Sequence, residues 1–218
     1  MLSSRLLTVV LLLTLAASST VLAFRLKNYS LPGNQQGYEP VQPIAFSHRL
    51  HAGDLQIACI YCHSGANRSR HAGFPAASLC MNCHRFVTAS PDAMQQELDR
   101  ARQAKRPPQP VISPELAKLY DALGLDDKMQ LDPAKKPQPI SWVKVHNLPD
   151  FACFDHRPHV NAGVACQHCH GPVQTMERVR QVEDLSMGWC VNCHRQTGVT
   201  GVAGKKVKPS TDCTACHY

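Results

Sequence analysis

Apolar positions are distributed unevenly along this chain. From Leu6 to Phe24 no charged residue occurs, and leucine, valine and alanine dominate without a polar stripe. A run of this length exceeds a usual signal h-region and lies at the lower end of a membrane-spanning helix. It predicts one N-terminal transmembrane helix, retained as an anchor. Ser18, Ser19 and Ala23 offer small residues to a signal peptidase but form no clean Ala-x-Ala, so a cleaved signal is the lesser alternative. Arg5 and the amino terminus on one side match Arg25 and Lys27 on the other, so charge sets no orientation.

Beyond this run the pattern turns irregular. Arg25 to Pro43 is polar and contains Pro32, Gly33, Gly37 and Pro40, which predicts an extended linker. A short polar helix is expected within Ser90 to Arg106, with Pro91 near its start and Asp92 and Glu97 early in it. Ser113, Pro114 and Glu115 should cap a second helix that runs through Leu123 and stops at Gly124. Leu116, Leu119, Tyr120 and Leu123 would form its apolar face. Pro137 to Asp150 reads as irregular chain. The resulting division is an anchor (1–24), a linker (25–45), a first unit (46–86), an insert with short helices (87–150) and a C-terminal unit (151–218).

Chemistry enters with five Cys-x-x-Cys-His pentads, which use ten of the eleven cysteines. They are Cys59, Cys62 and His63; Cys80, Cys83 and His84; Cys166, Cys169 and His170; Cys190, Cys193 and His194; and Cys213, Cys216 and His217. Each reads as a covalent c-type haem attachment, the cysteines taking the vinyl groups and the histidine the iron. Zinc would need two ligand pairs converging on one tetrahedral ion and leaves the fixed histidine unexplained. A disulfide scaffold needs no such histidine, and a thioredoxin-like dithiol is expected once, not strung through proline-rich sequence. The cofactor complement expected is therefore five covalently bound haem c.

That expectation changes how the composition is read. The chain is 44% hydrophobic with sixteen prolines, twelve glycines and few aromatics, so the haems must supply much of the buried apolar surface. The formal charge of +7 would suggest nucleic acid or anionic lipid. Five ferric haems with ionised propionates, at about −1 each, bring it toward about +2. No basic cluster interleaved with aromatics is present, and no nucleic-acid partner is expected.

An internal repeat picks out further ligands. Phe46, His48 and His51 precede the first two pentads in the spacing Phe-x-His-x-x-His, and Phe154, His156 and His159 precede the next two in the same spacing. The fifth pentad is an appended tail. An i, i+3 spacing puts both histidines on one face of a helical turn, from which they can diverge toward two irons. His48, His51, His156 and His159 are thus expected as four sixth ligands. For the fifth iron the candidates are His146 and Met176, a thioether favouring ferrous iron and a higher potential. His71 and His168 are set aside, Met81 and Met187 are read as packing residues, and Cys153 as a small buried hydrophobe.

Irons with both axial positions filled by protein cannot bind substrate, so no catalytic residue is expected and the chain reads as an electron wire. A reductase would need one open haem beside acid and base groups, and no variant pentad marks one. Because c-type attachment occurs on the exported face of a bacterial membrane, 25–218 is expected to be periplasmic, with Met1 cytoplasmic.

The motif preceding each pentad pair resembles that of class III and c7-type multihaem cytochromes. The larger pattern, including Trp142 to Pro149, Phe154 to Met176, Met187 to Arg195 and Cys213 to Tyr218, is similar to the pentahaem subunit of alternative complex III, a bacterial membrane quinol:electron-acceptor oxidoreductase. That resemblance implies a haem-organised fold with low secondary structure and short helices. It also implies mostly bis-histidine haems, with His48, His51, His156 and His159 matching the family's ligand pairs and His146 and Met176 matching looser positions. Implied partners are the membrane, an iron–sulfur and molybdopterin-like subunit, polytopic quinone-binding subunits, and a monohaem cytochrome c or terminal oxidase. The runner-up is a stand-alone membrane-anchored quinol dehydrogenase feeding a periplasmic reductase. The 34 residues between Phe24 and Cys59 set the first pentad far from the anchor and weigh against it.

Overall fold

A computed structural model describes residues 4–27 and 34–217. Met1, the side chain of Lys27, Pro32, Gly33 and Tyr218, all of which figured in the sequence reading, lie outside the described set. The chain forms two compact units that divide after Asn34.

The first unit is one helix, α1 (Ser4–Lys27). It is long and apolar enough over Ser4–Arg25 to cross a membrane, and none of that span is buried against protein. Its hydroxyls do not compromise the apolar surface. Thr8, Thr14, Ser18 and Thr20 each donate to a carbonyl three or four residues earlier, so they need no external partner.

The second unit has no named strand among the described residues. Its helices are α2 (Cys59–Cys62), α3 (Ala77–His84), α4 (Pro91–Gln103), α5 (Pro114–Ala122), α6 (His156–Ala162), α7 (Gln167–His170) and α8 (Met187–Thr200). A π-helical turn spans Arg49–Asp54, and short 3-10 turns span Val173–Thr175 and Cys213–Ala215. The expected insert helices form with their expected caps. Ser90 accepts from the Ala93 amide and Ser113 from the Leu116 amide, each followed by proline. Gly124 ends α5 at φ +70°, a conformation that glycine adopts without a Cβ penalty.

Very little of the polypeptide is buried. Ala89, Ala101, Leu119 and Tyr120 cluster in the insert, while Ala66, Val145 and Met176 are the other buried apolar residues described. Glu97 is the charged member of this insert core. Arg106 grips both of its oxygens at 2.6 and 3.2 Å, and the Gln109 amide donates at 2.8 Å. These partners hold the Glu97 carboxyl down at about 2. The Tyr120 hydroxyl donates to the His84 carbonyl at 2.6 Å, seating α5 on the second pentad.

The two repeats interlock reciprocally. The Arg70 carbonyl, just after the first pentad, accepts from the backbone amide of His156 at 3.1 Å. The Met176 carbonyl, just after the third pentad, accepts from the Arg49 amide at 2.9 Å. Equivalent positions 53 and 161 also meet equivalent turns. The Asn161 side chain donates to the Asn67 carbonyl at 3.3 Å, whereas a Cβ at Gly53 would fall 2.3 Å from the Gln174 oxygen. Each motif is therefore held by the loop that follows the other unit's first pentad.

Two outcomes test the insert core. Leu119→Ala should lower the stability of the haem-loaded protein by about 2–5 kcal/mol in chemical denaturation. For Glu97 the folded-state carboxyl lies below its ordinary 4.5, so its stabilising contribution is complete above that value and lost as pH falls toward 2. The stability gap between wild type and Glu97→Gln should shrink across that window in acid denaturation.

Candidate functional site

In each of the first four pentads a helical turn sets the cysteines and the histidine. Cys59 and Cys62 bracket α2 with His63 as its cap, while Cys80, Cys83 and His84 share α3. Cys166 caps α7, which holds Cys169 and His170, and α8 carries Cys190, Cys193 and His194. Cys213 begins a 3-10 turn, and the backbone amide of His217 bonds to the Cys213 carbonyl at 2.9 Å. None of the eleven cysteines is in a disulfide.

The histidines are oriented by the chain itself. A carbonyl can only accept, so an Nδ1 beside one must carry the proton and leaves Nε2 for a metal. His51 donates to the Ser47 carbonyl, His63 to Gly73, His84 to Val87 and His159 to Asp155, each at 2.8 Å. His156 donates to Arg70 at 2.9 Å, His194 to Ser210 at 2.5 Å and His217 to Phe151 at 3.2 Å. Among the described residues, His48 Nδ1 and His146 Nε2 are buried nitrogens without a hydrogen-bond partner.

Ring spacing then supplies the test of fit. Two imidazoles bound trans to one iron, with bonds of about 2.0–2.1 Å, bring their centroids to about 6.3 Å. His156 and His170 lie 6.3 Å apart with planes 4° from parallel. His51 and His84 lie 6.1 Å apart, and His159 and His194 5.9 Å. His48 has His63 as a neighbour. Burial first, and then His63 and His51, push it down to about 4. His170 is driven to about 3 by burial first and then by His146, His156 and His63. His48 and His170 are therefore neutral near pH 7, the form that ligates a metal.

Phe46 and Phe154 organise the two motifs alike. Phe46 meets His48 edge-on at 4.9 Å and stacks on His51 at 4.3 Å; Phe154 meets His156 edge-on at 4.8 Å and lies over His159 at 4.7 Å. The local backbone differs, since His48 leads into the π-helical turn while His156 begins α6. Each phenylalanine nonetheless touches both histidines of its motif.

The looser candidates are placed differently. His146 packs edge-on against His170 at 4.3 Å, too close to share an iron in trans. Met176 is buried beside the first motif, with its carbonyl on Arg49. His217 stacks with Phe151 at 5.8 Å. Cys153 is half-buried, and its amide donates to the Cys216 carbonyl at 2.7 Å. The sequence reading missed a role for His168. Its Nε2 lies 3.5 Å from the Cys193 sulfur and its ring 5.8 Å from Trp189. Its place in a pentad's variable pair gave no hint of this.

The surroundings suit a large apolar group. Ile60, Tyr61, Phe74 and Phe86 are all exposed around the first two pentads, more apolar surface than a chain of this core size would leave uncovered. A 570 Å³ cleft lined by Cys62, Phe74, Pro75, Ala76, Leu79 and Asn82 lies between those pentads. Among the described residues no three His, Cys, Asp or Glu side chains converge as a bare metal-ion cage.

Comparison with known proteins agrees. Residues 152–218 match the family of cytochrome c7 and related cytochrome c. The described residues form helices and loops, and the similarity to that family lies in the C-terminal part of the chain. Over 196 residues the chain is also 23% identical to the menaquinone reductase, multiheme cytochrome c subunit, of Nitratidesulfovibrio vulgaris, covering 81% of this chain and 76% of that one.

Replacing His159 by alanine should convert the haem of the Cys190 to His194 pentad alone from low-spin to high-spin. Attached haem, read by mass, should be unchanged. An unaltered low-spin spectrum would remove His159 from the ligand set.

Proposed function

We propose that the chain is a membrane-anchored pentahaem c-type cytochrome that relays electrons between a quinone-reactive membrane complex and an acceptor on the periplasmic side. The observation that carries this reading is the set of imidazole pairs at trans-iron spacing, each joining a pentad to a Phe-x-His-x-x-His motif. Haem, when bound, supplies a one-electron ferric/ferrous couple. The protein's part is to attach, orient and space these groups and, through main-chain carbonyls on Nδ1, to fix the tautomer of seven of the imidazoles.

The assigned attachment residues are Cys59, Cys62, Cys80, Cys83, Cys166, Cys169, Cys190, Cys193, Cys213 and Cys216, with His63, His84, His170, His194 and His217 as first axial ligands. We assign His48 to the His63 haem, His51 to that of His84, His156 to that of His170 and His159 to that of His194. The order is the same in both repeats, the first histidine serving the unit's first pentad and the second its second. For the fifth iron the candidates are His146, whose Nε2 is a buried nitrogen that nothing in the described residues satisfies, and Met176.

Helix α1 serves in this reading as the retained anchor, with the haem unit outside the cytoplasm. The partners are those of an alternative complex III: an iron–sulfur and molybdopterin-like subunit, polytopic quinone-binding subunits, and a monohaem cytochrome c or terminal oxidase. A second reading reverses the flow. It is favoured by the name of the Nitratidesulfovibrio relative, a menaquinone reductase subunit, and would deliver electrons from a periplasmic donor to menaquinone.

Mild detergent extraction followed by subunit identification separates these readings. Co-purification with polytopic and iron–sulfur subunits, and quinol-dependent cytochrome c reduction, is the expected outcome. Reduction of a menaquinone analogue by a periplasmic donor, without the quinol-dependent activity, would establish the reverse flow. Purification alone or with one soluble reductase would overturn the complex. In the same preparation one of the two variants His146→Ala and Met176→Leu should leave one high-spin haem, and that variant identifies the ligand of the fifth iron.

A further inference from the structure

The pentads do not lie in space in the order in which the chain makes them. The first and second touch through Tyr61 and Asn82, the Asn82 amide donating to the Tyr61 hydroxyl at 3.0 Å. The first and third are joined twice over. The Arg70 carbonyl, which follows the first pentad, holds both the backbone amide and Nδ1 of His156, the ring opposite His170. The Asn161 side chain of the same α6 reaches the Asn67 carbonyl. The third and fourth meet where His168 Nε2 lies 3.5 Å from the Cys193 sulfur and its ring faces Trp189. The fourth and fifth meet where His194 Nδ1 donates to the Ser210 carbonyl, three residues before Cys213. The thiols repeat this sequence of neighbours: Cys62 with Cys83, Cys166 with Cys59, Cys169 with Cys193, and Cys190 with Cys216.

We propose that the haems form one unbranched electron path in the order His84, His63, His170, His194, His217, with the second and fifth pentads of the sequence as its two ends. This deepens the relay described above and rests on the pentahaem reading. Its cause is the reciprocal interlock of the repeats. Because each motif is clasped by the loop after the other unit's first pentad, the two first pentads are drawn to the centre and the second pentads are turned outward. Copies strung head to tail would instead put the second pentad beside the third. The appended fifth pentad then extends one side only.

Each hop along this path oxidises one ferrous centre and reduces its ferric neighbour, with no bond made or broken and no proton required. The electron given by a reduced partner at one end is the electron taken by an oxidised partner at the other. Partner proteins that exchange electrons with this chain therefore dock at the His84 end, beside α5, and at the His217 end, beside Phe151 and Cys153.

Opening one sixth position at a time tests the order on the full haem-loaded chain. His51→Gly should leave the His84 haem high-spin when ferric, and His48→Gly the His63 haem. A high-spin ferric centre relaxes quickly and shortens the electron-spin relaxation of the low-spin haems it adjoins, read by power saturation in electron paramagnetic resonance. The order proposed predicts that His51→Gly strongly affects one remaining low-spin signal and His48→Gly two, and that added imidazole reverses both effects. Two affected signals in His51→Gly, or one in His48→Gly, would overturn it in favour of sequence order. Either variant alone decides the question, so failure of one to accumulate leaves the other as the test. Attached-haem mass on the same samples is the separate check of the underlying reading: fewer than five haems on the wild-type chain would overturn that reading, and the proposed order with it.

Discussion

An imidazole offers a metal only one nitrogen at a time, and here the backbone decides which. Seven of the twelve histidines place Nδ1 on a main-chain carbonyl, and the rest of the fold follows from honouring those bonds. The acceptors are mostly loop residues such as Gly73, Val87, Arg70 and Ser210, so the irregular segments between pentads are not slack connectors. They are the second layer of each site, setting tautomer and ring azimuth. A chain with so few buried side chains has little other means of fixing its cofactors. In the proposed pentahaem reading, the haems and the carbonyls that aim their ligands take the place of a polypeptide core.

The insert is the exception and shows the contrast. Around Leu119, Tyr120, Ala101 and Glu97 the polypeptide packs as an ordinary small domain does, with capped helices and a clasped carboxylate. It touches the haem-bearing part through the Tyr120 hydroxyl on His84. A self-supporting patch fastened to one pentad suits a platform for protein contact, whereas the pentad regions are too dependent on cofactor to serve as independent scaffold.

Much of the site was legible in the sequence because its determinants are local. A Cys-x-x-Cys-His pentad is a single helical turn, Phe-x-His-x-x-His another, and the Ser-Pro starts of α4 and α5 are capping chemistry within four residues. The pairing of His51 with His84, and of His159 with His194, was not legible. Nor was the place of His146 against His170, or the clasp of Arg70 on His156 across 86 positions. These depend on where backbone carbonyls end up after folding, and any residue type can supply a carbonyl. The π-helical turn at Arg49–Asp54 escaped for the same reason, since its partner is the backbone around Gln174.

Gly53 and Asn161 occupy matching places in the two repeats, yet one answers the opposing turn by having no side chain and the other by using one. The duplication has thus been divided into a plug and a socket. Neither motif can be copied over the other: asparagine at 53 would collide with the Gln174 carbonyl, and glycine at 161 would leave the Asn67 carbonyl without its donor. The two like motifs are therefore not interchangeable at the place where each meets the opposing turn.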